Sequence, residues 1–119
     1  MQYVCLVYHE EQILDAQTPA EKATLDANSL NYDDVLAASG HLVLAQALQS
    51  VGNSKCIRVR KGKRLVTDGP FAETKEQLLG FVMINAKDIE EALDIAAGIP
   101  LGQTGTIEVR AVYEVPDAR

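Results

Sequence analysis

The chain has 119 residues, 47% of them hydrophobic and 24% charged, with two Cys, no Trp and a formal net charge of −6. That is enough for one domain spanning residues 1–119 with a real core, and too little for two. No apolar run reaches the roughly 20 residues of a transmembrane helix. The segment from Met1 to Val7 also lacks the basic and small-residue features of a signal peptide, so the expected location is cytoplasmic, away from membranes.

Residues Tyr3 to Tyr8 set Val4, Leu6 and Tyr8 on one face and Tyr3, Cys5 and Val7 on the other. Both faces are apolar, which predicts an interior strand covered on both sides. Thr18-Pro19-Ala20-Glu21 then supplies a helix cap, a proline at the first helical position and a capping-box acid. Leu25, Ser29, Tyr32, Leu36 and Ser39 follow at helical spacing and Gly40 fits the stop, predicting a helix over 19–39. Cys56 to Arg60 alternates Ile57 and Val59 with Arg58 and Arg60, and Lys61-Gly62-Lys63 turns the chain into Leu65-Val66-Thr67, a β-hairpin. Phe81 to Ile84 reads as a further strand. Asp88 and Glu91 start a second helix bearing Ile89, Ala92, Leu93, Ala96 and Ala97, which Gly98 and Pro100 close. The last strand alternates Ile107, Val109, Ala111, Tyr113 and Val115 inward with Glu108, Arg110 and Glu114 outward.

The order is β-α-β-β-α-β with one additional strand. It predicts the α+β class and a ferredoxin-like antiparallel sheet with both helices on one face. The other face stays uncovered by the chain's own helices. With Tyr3, Cys5 and Val7 placed on it, that face predicts a homodimer.

Charge is unevenly distributed. Residues 1–40 hold Glu10, Glu11, Asp15, Glu21, Asp26, Asp33 and Asp34 against Lys22 alone, so this third carries the whole −6. Lys55, Arg58, Arg60, Lys61, Lys63 and Arg64 place six of the eleven basic residues within ten positions without an acid. This cluster reads as a solvated hairpin face, as a patch for an anionic ligand, or as a surface that meets the acidic segment of a second copy. Nucleic acid is disfavoured by the acidic total and by only six aromatic residues. His9, His41, Cys5 and Cys56 show no zinc spacing, and neither a metal nor another cofactor is expected. Gly98, Gly102 and Gly105 follow a helix and precede a strand, the reverse of the order in a phosphate-binding loop.

One run stands apart: Asp68-Gly69-Pro70-Phe71-Ala72-Glu73-Thr74-Lys75-Glu76. Gly-Pro after a strand takes the chain out of the sheet. Asp68 at that corner is either a turn residue accepting loop amides or a general acid–base at a cleft. The run resembles the signature of the DGPF-domain proteins, a branch of the YCII-related family. Val59-Arg60, Gly80-Phe81, Glu91-Ala92 and Ile107-Glu108-Val109-Arg110 extend the resemblance over residues 2–114. It implies a ferredoxin-like subunit that pairs into a dimeric α+β barrel. For the YCII branch it further implies a His–Asp pair in the cleft, with the His in the first helix. Residues 19–39 here contain no His, and His41 is the histidine that can approach. The resemblance also brings an association with extracytoplasmic-function sigma factors.

Two function classes follow. In one, an enzyme for a small polar or anionic molecule uses Asp68 as acid or base and His41 as its partner. Its ligand contacts would come from Arg58, Phe71, Glu73, Lys75 and Arg110. The other, which the paucity of titratable candidates favours, is a non-catalytic ligand-binding or regulatory module.

Overall fold

The computed structural model describes all residues, Met1–Arg119. In chain order it comprises β1 (Gln2–His9), α1 (Glu11–Asp15), α2 (Pro19–Ala38), β2 (Leu42–Ala47), β3 (Lys55–Arg60), β4 (Lys63–Asp68), β5 (Gln77–Asn85), α3 (Ile89–Ala97) and β6 (Thr106–Ala111), with short 3-10 turns at Val51–Asn53 and Pro100–Gln103. Strands β2, β5, β1 and β6 lie side by side in that order, every neighbouring pair antiparallel. Strands β3 and β4 form a separate two-stranded hairpin. With that hairpin set aside, the order is the βαββαβ read from the sequence. The sheet strand after α2 is nevertheless β2, which the sequence pattern did not show.

The helix boundaries follow the predicted signals. Glu21 N–H donates to Thr18 Oγ1 at 3.1 Å and Thr18 N–H to Glu21 Oε1 at 3.0 Å, a complete capping box for α2. At its other end Gly40 has φ +81°, and the amides of Gly40 and His41 reach back to Ala37 and Leu36. That closing motif needs a left-handed residue, which glycine supplies without strain. Asp88 caps α3 by accepting from Glu91 N–H at 2.9 Å.

Tyr3, Cys5 and Val7 of β1 join Leu36, Val82, Ile84, Ala92, Ile95, Ala96 and Ile99 in one buried cluster between sheet and helices. This corrects the expected face assignment: the alternation was right and its direction reversed. Register shows which residues face away from the helices. Val4 lies opposite Met83 and Arg110, and Leu6 opposite Phe81 and Glu108. The outer face therefore bears Val4, Leu6, Tyr8, Phe81 and Met83, crossed by a Glu108–Arg110 ion pair at 2.7 Å. The last strand is also shorter than its alternation. It stops at Ala111, leaving Tyr113 and Val115 exposed. The pairing with β1 ends where Val112 N–H donates to the carbonyl of Gln2, the first residue of that strand.

Only 14 residues are buried, and the Cα radius of gyration is 16.5 Å. A compact chain of this length would give about 13–14 Å. The excess reflects a flat, extended molecule of 47 × 45 × 19 Å from which the β3–β4 hairpin stands apart.

Candidate functional site

The helical layer covers the sheet incompletely. Between α2 and the β2–β5 side lies a cleft of about 820 Å³. Leu25, Leu48, Leu79, Ile99 and Leu101 give it an apolar lining, and Glu11, Asp15, Asp26 and Asp33 are set against Lys22 as the single lining base. Tyr32 fixes the helix above the cleft by donating its hydroxyl to Ile95 O at 2.5 Å. Partial burial, reinforced by the neighbouring Asp34, pushes the Asp33 carboxyl above its ordinary value.

A second cavity of about 400 Å³ adjoins the cleft and shares Leu14, Gln17, Leu25 and Pro100 with it. Its polar end is His9, the last residue of β1, fully buried. His9 Nδ1 lies 3.0 Å from Glu10 O, and a carbonyl can only accept, so the proton sits on Nδ1. Nε2 shares a hydrogen bond with the Thr104 hydroxyl at 2.6 Å. A Cβ on Gly105 would run into the Tyr8 carbonyl and the His9 ring, so glycine there lets the loop close on the imidazole. Glu21 lines the same cavity, and its bond to the Thr18 amide holds its carboxyl below the ordinary value. An imidazole, a hydroxyl, a carboxylate and the amides of Gln17 and Gln103 thus meet an apolar wall of Ile13, Leu14 and Leu25. Such a site can bind an apolar body by one end and hydrogen-bond the other. No group of three or more His, Cys, Asp or Glu side chains is placed to hold a metal ion.

His9 was legible only as a chain position. It shares the parity of buried Tyr3, Cys5 and Val7, and a polar side chain at a buried position of a strand must find partners.

The residues singled out from sequence lie elsewhere, in four places. Asp68 ends β4 with its side chain 82% exposed, ion-paired to Lys55 across the hairpin, and lines neither cavity. Gly69 N–H donates to Ser54 O at 2.9 Å, and a Cβ on Gly69 would collide with the Ser54 side chain. Arg58 stacks on the exposed Phe71 ring, 5.3 Å from its centroid. Farther along the run the loop is tied to the sheet: Lys75 pairs with Glu10 at 3.4 Å, and Glu76 accepts from the Thr106 hydroxyl at 2.7 Å. Glu73 is exposed on that loop. His41 contacts Ser39 Oγ at 2.7 Å and Glu91 at 3.3 Å. It precedes β2 at the end where Leu42 pairs with Ile84, whereas the hairpin follows the end where Ala47 pairs with Gly80. Those strand ends are about 13 Å apart, and Asp68 is not among the contacts of His41. Arg110 lies on the outer face with Glu108, which raises its guanidinium pKa.

A small α+β domain with one layer of helices on an antiparallel sheet and a lateral cleft is the class this geometry defines. The YCII-related domain model matches residues 1–116, and the chain belongs to that family. It is 34% identical over 118 residues to an uncharacterized protein of Rhizobium meliloti (strain 1021), covering 96% of this chain and 95% of the relative. No helix is long and apolar enough to cross a membrane.

Proposed function

We propose that the protein is a cytoplasmic ligand-binding module of the DGPF branch of its family, a ferredoxin-like subunit that pairs through its outer sheet face into a dimeric α+β barrel. The cleft carries this reading: it is roomy, combines apolar with acidic side chains, and adjoins a cavity whose polar groups are already oriented by hydrogen bonds. Its acidic lining suits a small neutral or cationic molecule with an apolar body. An anionic ligand gripped by Arg58 and Arg110 has no counterpart there, because neither residue lines the cleft. The dimer is supported by the apolar outer face of Val4, Leu6, Tyr8, Phe81 and Met83 and by the small core of the single chain.

A metabolite-library thermal-shift screen tests the reading on wild type, Ser29→Phe and Asp68→Asn. Ser29 lines the cleft, so a ligand bound there raises the melting temperature of wild type and Asp68→Asn but not of Ser29→Phe. A shift that survives Ser29→Phe and disappears in Asp68→Asn would overturn the cleft and favour an enzyme working through Asp68.

A further inference from the structure

The β3–β4 hairpin poses a physical problem that the single chain leaves open. Cross-strand register puts Ile57, Val59 and Val66 on one face together with Lys55, Arg64 and Asp68, and Arg58, Arg60 and Lys63 on the other with Cys56, Leu65 and Thr67. Those three β-branched side chains are 56%, 59% and 56% exposed. An isolated two-stranded hairpin is marginally stable in water, and exposed apolar edge strands invite association. Of the six clustered bases only Lys55 has an ion pair within the chain, while Arg58 rests on Phe71. The hairpin thus has the composition of an interface: an apolar face that bears Arg64, with the unpaired Arg60, Lys61 and Lys63 gathered at the hairpin tip.

The opposite pattern lies on α2. Asp26, Leu30 and Asp34 follow at i, i+4 and i+8 along one stripe, with Asp33 beside it. Leu30 is 66% exposed, and none of the three aspartates has an ion pair in the chain. We infer that the β3–β4 hairpin of one chain docks on the acidic α2 stripe of a second copy, seating its apolar face against Leu30, with Arg64 on that face and Arg60 and Lys63 reaching round the hairpin tip to pair with Asp26, Asp33 and Asp34. The two surfaces are opposite in charge, and each presents exposed apolar side chains. This contact is distinct from the outer sheet face and shares Asp26, Leu30 and Asp33 with the lining of the cleft.

Charge reversal with mixing tests it. Arg60→Glu/Arg64→Glu and Asp26→Lys/Asp34→Lys are each studied by sedimentation at about 0.05 M sodium chloride, where surface charges are weakly screened. Each variant alone should self-associate about tenfold more weakly than wild type, or worse, because like charges now face each other. An equimolar mixture should recover wild-type association, since the reversed hairpin meets the reversed helix. Wild-type association should also weaken at about 0.5 M salt. Should the Arg60→Glu/Arg64→Glu chain fail to fold by circular dichroism, Lys61→Glu/Lys63→Glu takes its place. The inference is overturned if folded variants associate as wild type does, if the mixture shows no recovery, or if wild type stays monomeric at low salt.

Discussion

The sheet–helix body and the β3–β4 hairpin are built from similar alternating strands, yet they obey opposite accounting of side chains. In β1 the alternation resolves into a helix-facing row that is nearly fully buried and an outer row that is half-buried. In β4 every residue is exposed, apolar and polar alike. Alternation alone therefore records that a strand has two faces, and says nothing of whether either is covered. What covers β1 is supplied by α2 and α3 of the same chain, whereas no element of the chain covers β4.

The sharpest contrast is chemical, because each region holds one of the two thiols. Burial raises the Cys5 thiol from 9.0 to about 11, while Cys56 lies on the partly exposed hairpin. In the folded protein a disulfide reagent should titrate one thiol promptly, and the second only on unfolding. Rapid reaction of both would mean that the body opens as readily as the hairpin. Next in size, Ile84→Ala removes a fully buried side chain from the centre of the body. It should cost about 2–5 kcal/mol in denaturant unfolding.

His9→Ala strips Thr104 of its partner and should cost about 1–3 kcal/mol. A loss indistinguishable from zero would show that the polar end of the cleft is not organised by the imidazole. Asp33 gives a smaller effect of known sign. Its carboxyl holds a proton to higher pH in the folded state than in the unfolded chain, so between those two values folding binds protons. Stability from this group is present at acid pH and falls as the pH rises through the folded value. Asp33→Asn should remove that fall and melt slightly higher than wild type at neutral pH, as a pH series of melting curves would reveal. At the bottom of the scale, Val66→Thr on the hairpin should leave unfolding of the dilute single chain within about 0.5 kcal/mol of wild type. If it destabilises the monomer as much as a core substitution, the hairpin is covered by its own chain and the contrast fails.

The local signals of the chain were legible to a fine grain. Thr18 and Glu21, Asp88 and Glu91, and Gly40 each marked a helix end through a hydrogen bond or backbone angle that a few adjacent residues determine. The hairpin reversal was legible too, and it is a two-residue turn at Lys61 and Gly62, both with positive φ. Strand β2 was hidden because its register shifts between Leu42 and Leu44. The extra residue, Val43, breaks the period of two on which strand recognition depends. The short helix α1 has no capping side chain to announce it.

The site residues drawn from the sequence lie apart from the cleft. The run from Asp68 to Glu76 drew attention by its dense functional groups. The fold spends Lys75 and Glu76 on fastening a loop to the ends of β1 and β6, and pairs Asp68 with a neighbouring lysine. The polar end of the cleft instead joins His9 to Thr104, 95 positions apart. Sequence by itself determined the two long helices and their ends, the hairpin reversal, the segregation of charge and the YCII-related family, because these depend on neighbours a few residues away or on a pattern along the chain. The tertiary structure alone decided which face of β1 meets the helices, where a cleft remains and which apolar surfaces stay bare. Those follow from contacts between distant segments, and no local periodicity encodes them.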